Sequence, residues 1–380
     1  MKILTVDIGT GTQDIFLYNS ELDLENGYKL VLPSPTLIVR GKLRQATQLR
    51  QPVLLAGVLM GGGPSSWAIE AHLRAGLPVF ALPDAARTLN DDLEKIRGMG
   101  ITLVSEDEAR RLPDTVQRIE LGDFDLRLIV HTLAQFGVSL DQLAAVAVAV
   151  FDHGDAPRGT SDRRFRFDYL DRRIRQENRL SAFAYLRQNI PPSMTRLQAV
   201  GRSAGDVAVP LVVMDTAPAA LLGATLDPQV ASRPSKLVAN IGNFHTLAFR
   251  LGPAGIEGVF EHHTGEIDLL RLEWLLGRLA DGTLQNEDVF NQQGHGALVY
   301  STEPIDLDGP GMTLAVTGPR RSLLKESRLR PYFAAPFGDM MITGCFGLLA
   351  AVGDVLPELN EAIRNSLQGS SRVKAPWDAE

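Results

Sequence analysis

Asp7 ends a run of strand-forming residues that includes Ile3, Leu4 and Val6, and a Gly/Thr turn comes at once through Gly9, Thr10, Gly11 and Thr12. The glycines allow a tight turn that brings backbone N–H groups up to an anion, and the threonine hydroxyls add donors, so the layout suits a phosphate. The residues beyond the turn narrow the class of site. Ile15, Phe16, Leu17 and Tyr18 are β-formers that send the chain back as a hairpin, whereas a dinucleotide-binding turn opens a helix and needs a third glycine. The Gly-Lys-Ser/Thr ending of a Walker loop is missing as well. An ordinary hairpin turn that uses Gly and Thr only for its geometry is the alternative reading.

Other polar clusters sit at the ends of apolar runs. In FDHGDAPRG, Asp152, His153 and Asp155 come after the apolar strand AAVAVAVF at Ala144–Phe151. Asp152 or His153 there could act as general base toward a hydroxyl, or the segment is an Asx-type turn closed by Gly154 and Pro157. Three of the chain's seven histidines, His245, His262 and His263, fall close together with Glu261 and Glu266 beside them. Adjacent His262 and His263 point to opposite faces of a strand, so the spacing is not that of a recognised zinc site. The expectation is one imidazole facing a cleft as a phosphate or substrate contact and the rest structural. His295, between Gly294 and Gly296, reads as a flexible surface turn. Gly61, Gly62 and Gly63 precede Pro64, Ser65 and Ser66; they form an anion cradle at a helix start, or one serine simply caps that helix.

The elements that must carry these residues are those of an α/β protein. At 380 residues, with 44% hydrophobic and 22% charged, the chain can hold two domains with real cores. A net charge of -7 argues against general nucleic-acid binding. Cys345 is the single cysteine, so neither an intrachain disulfide nor a cysteine-ligated cluster can form, and its apolar helix makes a small buried residue the simplest reading. Asp7 interrupts the apolar run after Lys2, and the longest apolar stretches are too short for a membrane span, so a cytoplasmic protein is expected. The all-apolar Ala144–Phe151 fits a strand covered on both faces. From Arg158 to Arg202 arginine appears without lysine, interleaved with Asp162, Asp168, Asp171 and Glu177. This reads as a charged amphipathic helix on a solvated face, with a phosphate- or partner-binding face as the alternative. The expected organisation is a first lobe at 1–206, a second at 207–331, and a helix at 332–380 that returns to the first lobe and ends in a polar tail.

Four later segments come after the opening hairpin in a set order: MDTAPAALLGATLD at Met214–Asp227, LVANIGNFHTLAFRL at Leu237–Leu251, LAVTGPRRSLL at Leu314–Leu324 and GDMMITGCFGLLAAVGD at Gly338–Asp354. The series resembles the actin, Hsp70 and sugar-kinase (ASKHA) superfamily: first phosphate hairpin, connecting helix, second phosphate hairpin, adenosine motif and second connecting helix. More narrowly, the chain is similar to a prokaryotic family labelled as pyruvate formate-lyase activating enzymes. That label demands a cluster held by three cysteines, which one cysteine cannot supply, so radical chemistry is rejected.

The resemblance implies an α/β, two-lobed actin-like ATPase (ribonuclease H-like) fold with a central inter-lobe cleft that binds ATP and Mg²⁺. It places Asp7, helped by Asp14, at the metal. Gly9, Thr10, Gly11, Thr12 and Gln13 from one hairpin, with Gly242, Asn243, His245 and Thr246 from the other, would contact phosphates. Gly318 and Arg320 would flank adenosine. Asn240 stands where the superfamily has a second acid, and an amide cannot serve as a carboxylate base. The implied function is phosphoryl transfer to a small hydroxylated substrate, with Asp7, Asp152 and His153 as catalytic candidates. A nucleotide-dependent regulatory module with little turnover, or an ATPase that activates a protein partner, remains the competing class.

Overall fold

The computed structural model describes residues 1–205, 207–307, 313–369 and 373–378. The chain opens with β1 (Lys2–Ile8), β2 (Thr12–Asn19) and β3 (Tyr28–Pro33), which pair antiparallel in succession. It then leaves this sheet for β4 (Val53–Gly57), β5 (Val79–Ala81), β6 (Thr102–Leu103) and β7 (Gln117–Leu121). These form a separate, wholly parallel sheet in the order β6-β5-β4-β7. It has its own core, with Val53, Leu55, Ile69, Val79, Ala81 and Ile119. The Gly61–Gly63 loop leaves β4 and leads into helix Pro64–Arg74. Gly63 caps that helix and the Ser65 N–H donates to Thr36 Oγ1, so neither serine caps it by its side chain.

The chain returns through β8 (Leu143–Val150), β9 (Ala184–Leu186) and β10 (Leu211–Asp215) to complete a sheet in the order β3-β2-β1-β8-β10-β9. β8 lies parallel between β1 and β10, and its alternation decides what covers each face. Val146, Val148 and Val150 join one core. Ala145, Ala147 and Ala149 face the other, against Cys345, Phe346 and Leu349 of helix Thr343–Val355. Alanines leave room for a helix to pack close, so the expected strand covered on both faces is what forms.

The second sheet comprises β11 (Lys236–Ile241), β12 (His245–Gly252), β13 (Gly255–His263), β14 (Gly296–Val299), β15 (Leu314–Thr317) and β16 (Tyr332–Phe333), ordered β14-β13-β12-β11-β15-β16. Its antiparallel hairpins followed by parallel β15 and β16 repeat the first sheet's plan. This duplication leaves no usable repeat in the sequence. Two sheets of this order, hinged by crossing helices, are the duplicated ribonuclease H-like fold of actin-like ATPases. The lobe boundaries differ from the sequence expectation. β10 belongs to the first sheet although it lies beyond 207, and β16 completes the second although it lies beyond 331, because each strand pairs with a lobe's interior strand.

Helices Thr216–Ala224 and Thr343–Val355 cross between the lobes. A Cβ on Gly223 would strike the Thr343 carbonyl, and one on Gly347 would strike that of Ala219. The small faces foreseen for both connecting helices are therefore required for their approach. Among the described residues no helix is long and apolar enough to cross a membrane.

Candidate functional site

The β1–β2 and β11–β12 hairpins face each other across a cleft. Its lining includes Asp7, the Gly9–Thr12 turn and Asp14 from one side, and Asn240 with the Gly242–His245 turn from the other. Asp7 and Asp14 are register partners across β1 and β2. Asp7 Oδ1 accepts a 2.5 Å hydrogen bond from Thr216 Oγ1, at the start of the first crossing helix. Gly344, on the second crossing helix, leaves room for the same carboxylate, for a Cβ there would run into Asp7 Oδ2. Asp14 Oδ1 is buried with no hydrogen-bond partner among the described residues. Burial pushes Asp7 up to about 7, opposed by the Thr216 hydroxyl and aided by the charge of Asp215. It pushes Asp14 up to about 8, with the Asp7 charge adding to it. Two carboxyls desolvated side by side each favour the other's protonated form.

Strand alternation removes some of the expected contacts. Thr12 and Asp14 face the cleft, so Gln13 points away and donates to the Pro33 carbonyl at 3.1 Å. Thr246 is likewise turned from the cleft and bonds Thr264 at 2.9 Å. Arg320 is exposed and contributes its backbone N–H to Ile241 O rather than a side chain to the cleft. Gly318 lines the cleft: its φ is +100°, and a Cβ would collide with Asn240 Oδ1. Met340, Met341 and Thr343 complete that end of the cleft.

A second cavity of about 310 Å³ adjoins the first. The inserted parallel domain supplies the Gly61–Gly63 loop, Asp91 and Asp123 to its lining, and the end of β8 supplies Asp152 and His153. Asp123 clamps Arg196 through both carboxylate oxygens at 2.7 and 2.9 Å and also accepts the Gly61 N–H. Asp152 accepts from the N–H groups of Gly154, Arg196 and Leu197 at 2.8 to 3.0 Å. Burial raises its pKa against those donors, but its oxygens are engaged in shaping the loop. Asp91 is lifted to about 6 by burial and by the charges of Asp155 and Asp162. Asp123 and Asp91 carried no motif in the sequence that would have marked them, whereas Arg196 lies in the arginine-rich segment and Thr216 in the Met214–Asp227 segment, neither of them singled out as a site residue.

At the wall of the cavities, His153, His245, Glu261 and His295 form a cluster in which the two lining histidines, His153 and His245, are half-buried and Glu261 and His295 are buried. Strand order explains the gathering: His245 starts β12, Glu261 is near the end of β13, and the His295 N–H donates to Glu261 O just before β14. His153 comes from the first lobe at the end of β8. His295 is thus buried, not a surface turn, because β13 holds its backbone. His262 and His263 do take opposite faces, His263 lying against the His245 and His295 rings. Burial pushes His295 down to about 3, and burial with the neighbouring His245 pushes His153 well below its usual value.

Arg166 supports this cluster and corrects the reading of the arginine-rich segment. Helix Asp162–Gln176 is charged on its outer face, yet Arg166 is wholly buried. Its guanidinium donates to Glu261 Oε2 and Asp215 Oδ2, both at 2.6 Å, and to Asp152 O at 2.8 Å, and it lies over the Phe151 ring. Burial works against ionisation of Glu261, but Arg166 and the imidazoles hold its carboxyl well below the usual range.

The duplicated sheet order is that of the actin-like fold. Residues 60–323 match the family model described as "Putative pyruvate format-lyase activating enzyme (DUF1786)", and the chain belongs to that family. No curated protein matches it. Among solved structures it is similar to the ethanolamine utilization protein EutJ from Carboxydothermus hydrogenoformans, at 12% identity over 92% of this chain and 89% of that one, with a TM-score of 0.31. The activator of 2-hydroxyisocaproyl-CoA dehydratase from Clostridium difficile, with bound ADPNP, matches at 10% identity over 99% of both chains, with a TM-score of 0.32. A ROK hexokinase from Thermus thermophilus matches at 12% identity over 99% of this chain and 91% of that one, with a TM-score of 0.25.

Proposed function

We propose that the chain binds a magnesium nucleotide between its lobes and passes a phosphoryl group to a small hydroxylated acceptor in the adjoining cavity. The observation that carries this reading is a shared wall: Gly9, Thr10, Phe151, Arg196 and His245 line both cavities. A phosphate held between the hairpins would therefore border the acceptor space. Asp7 and the unpartnered Asp14 Oδ1 fit a hard divalent cation. When bound, Mg²⁺ would neutralise charge developing on the phosphates. The N–H groups of the Gly9–Thr12 and Gly242–His245 turns would hold phosphate oxygens. Gly318, Met340 and Met341 would border the adenosine. Because the Asp152 oxygens already accept three N–H donors and His153 turns toward His295, Asp91 takes the role of base for the acceptor hydroxyl, its raised pKa suiting that task.

A second reading rests on Asn240. With an amide where the second hairpin would carry an acid, a nucleotide-dependent regulatory module, or an ATPase that drives a protein partner, would turn over slowly. One experiment separates the readings. Mg·ATP should raise the melting temperature of the wild type and much less that of Asp7→Ala, and a hydroxylated metabolite should accelerate ADP production. Stabilisation without any accelerating metabolite favours the regulatory reading; no shift with any purine nucleotide removes both.

A further inference from the structure

We propose that His153, His245, Glu261 and His295 form a site for a divalent transition metal of the zinc class, which fastens the first lobe to the second beneath the cleft. Such a site does not depend on nucleotide binding. His295 Nε2 lies 3.0 Å from His153 Nε2 and 3.5 Å from Glu261 Oε1, and Glu261 Oε1 lies 3.1 Å from His245 Nδ1. Metal–nitrogen bonds of about 2.0–2.1 Å at tetrahedral angles separate donors by about 3.3–3.4 Å. The donor atoms of all four residues lie within 4.8 Å of one another, which leaves them grouped around one point.

Hydrogen bonding alone leaves this cluster incomplete. Glu261 Oε1 and His245 Nδ1 are buried and lie 3.1 Å apart as an ion pair if the imidazole is protonated, yet neither atom has a well-aligned hydrogen bond among the described residues. The other carboxylate oxygen, Oε2, is taken by Arg166, which is how a ligating carboxylate is aimed by an outer partner. Three imidazoles with one carboxylate, and no thiolate, suit Zn²⁺, Co²⁺ or Ni²⁺ and not Mg²⁺ or Ca²⁺. Protein donors fill all four positions, so the metal would be structural, with His153 as the only ligand from the first lobe.

The test uses untagged full-length protein, stripped with a chelator and shown to remain folded. Zn²⁺ should bind at one ion per chain and raise the melting temperature, Mg²⁺ should not compete, and Co²⁺ should give the intense visible bands of a four-coordinate ion. His153→Ala and His295→Ala should abolish stoichiometric binding, while His131→Ala, at an exposed histidine, should retain it. Should the ligand variants fail to fold, the wild-type Co²⁺ spectrum decides. A folded wild type that takes up neither Zn²⁺ nor Co²⁺, a six-coordinate Co²⁺ spectrum, or binding that survives in folded His153→Ala and His295→Ala would overturn the site and leave a hydrogen-bonded imidazole cluster.

Discussion

Arg166 Nε donates to Glu261 Oε2 at 2.6 Å across the boundary between the lobes, and neither side chain reaches solvent. The same guanidinium holds Asp215, the residue that caps the first crossing helix through the Ala217 N–H. One cation thus balances carboxylates from β10 and β13. Such a pair adds little net stability over an apolar isostere, but losing one partner strands buried charge. Arg166→Leu should lower unfolding free energy by roughly 3–5 kcal/mol. Urea titration of the variant reads this directly, and a loss under about 1 kcal/mol would mean that water screens the site.

The crossing helices give a sharper steric prediction. A Cβ at Gly347 would meet the Ala219 backbone, which cannot swing aside as a side chain can. Gly347→Ala should cost about 1–3 kcal/mol or more. Gly344→Ala places its methyl against the Asp7 carboxylate instead, so it should weaken Mg·ATP binding more than its stability loss explains. Calorimetric titration beside a melting curve separates the two effects.

These glycines also mark how far the amino-acid pattern could be read. The hairpins, the strand Ala144–Phe151 and the small faces of both crossing helices were legible because each is a local pattern: a turn between β-formers, or small residues at helical spacing. Arg166 was not, since composition shows a charged helix but not which arginine turns inward. His153 and His295 were also opaque as partners. They meet only because β8 and β13 end at the same place, and that is set by the pairing of distant strands. The inserted parallel sheet shows in the amino-acid pattern only as one strand, a Gly loop and a helix of the first lobe, its short β5 and β6 lacking the length that makes a strand conspicuous.

The cleft carboxyls set a pH dependence. Asp7 and Asp14 rise from an ordinary 3.8 to about 7 and about 8, burial being the main cause for each. The folded state therefore holds more protons than the unfolded state between pH 3.8 and about 8, and stability falls as pH rises through that window. At pH 8 to 9 without divalent cations, Asp14→Asn should be more stable than the wild type by on the order of 1–3 kcal/mol. Mg²⁺ should reverse that order by stabilising only the wild type. Melting curves at pH 5 and pH 9, with and without Mg²⁺, check both signs; a wild type that gains stability across this range contradicts them.

Trp67 offers a direct view of closure. It stands on the helix after the Gly61–Gly63 loop, its ring edge against Phe244 of the second hairpin with centroids 5.6 Å apart. Gly63, at φ +66°, lies so close to the Phe244 ring that a Cβ would strike it. The inserted domain and the second lobe thus touch at the cavity wall, although Trp67 remains 56% exposed. Any hinge motion of the lobes on binding nucleotide must change this contact. Mg·ATP should shift Trp67 emission, and Trp67→Phe should remove the change while Trp274 and Trp377 still fluoresce. An identical response in that variant would place the motion elsewhere. An unchanged wild-type spectrum at saturating nucleotide would mean that the lobes bind without moving at this contact.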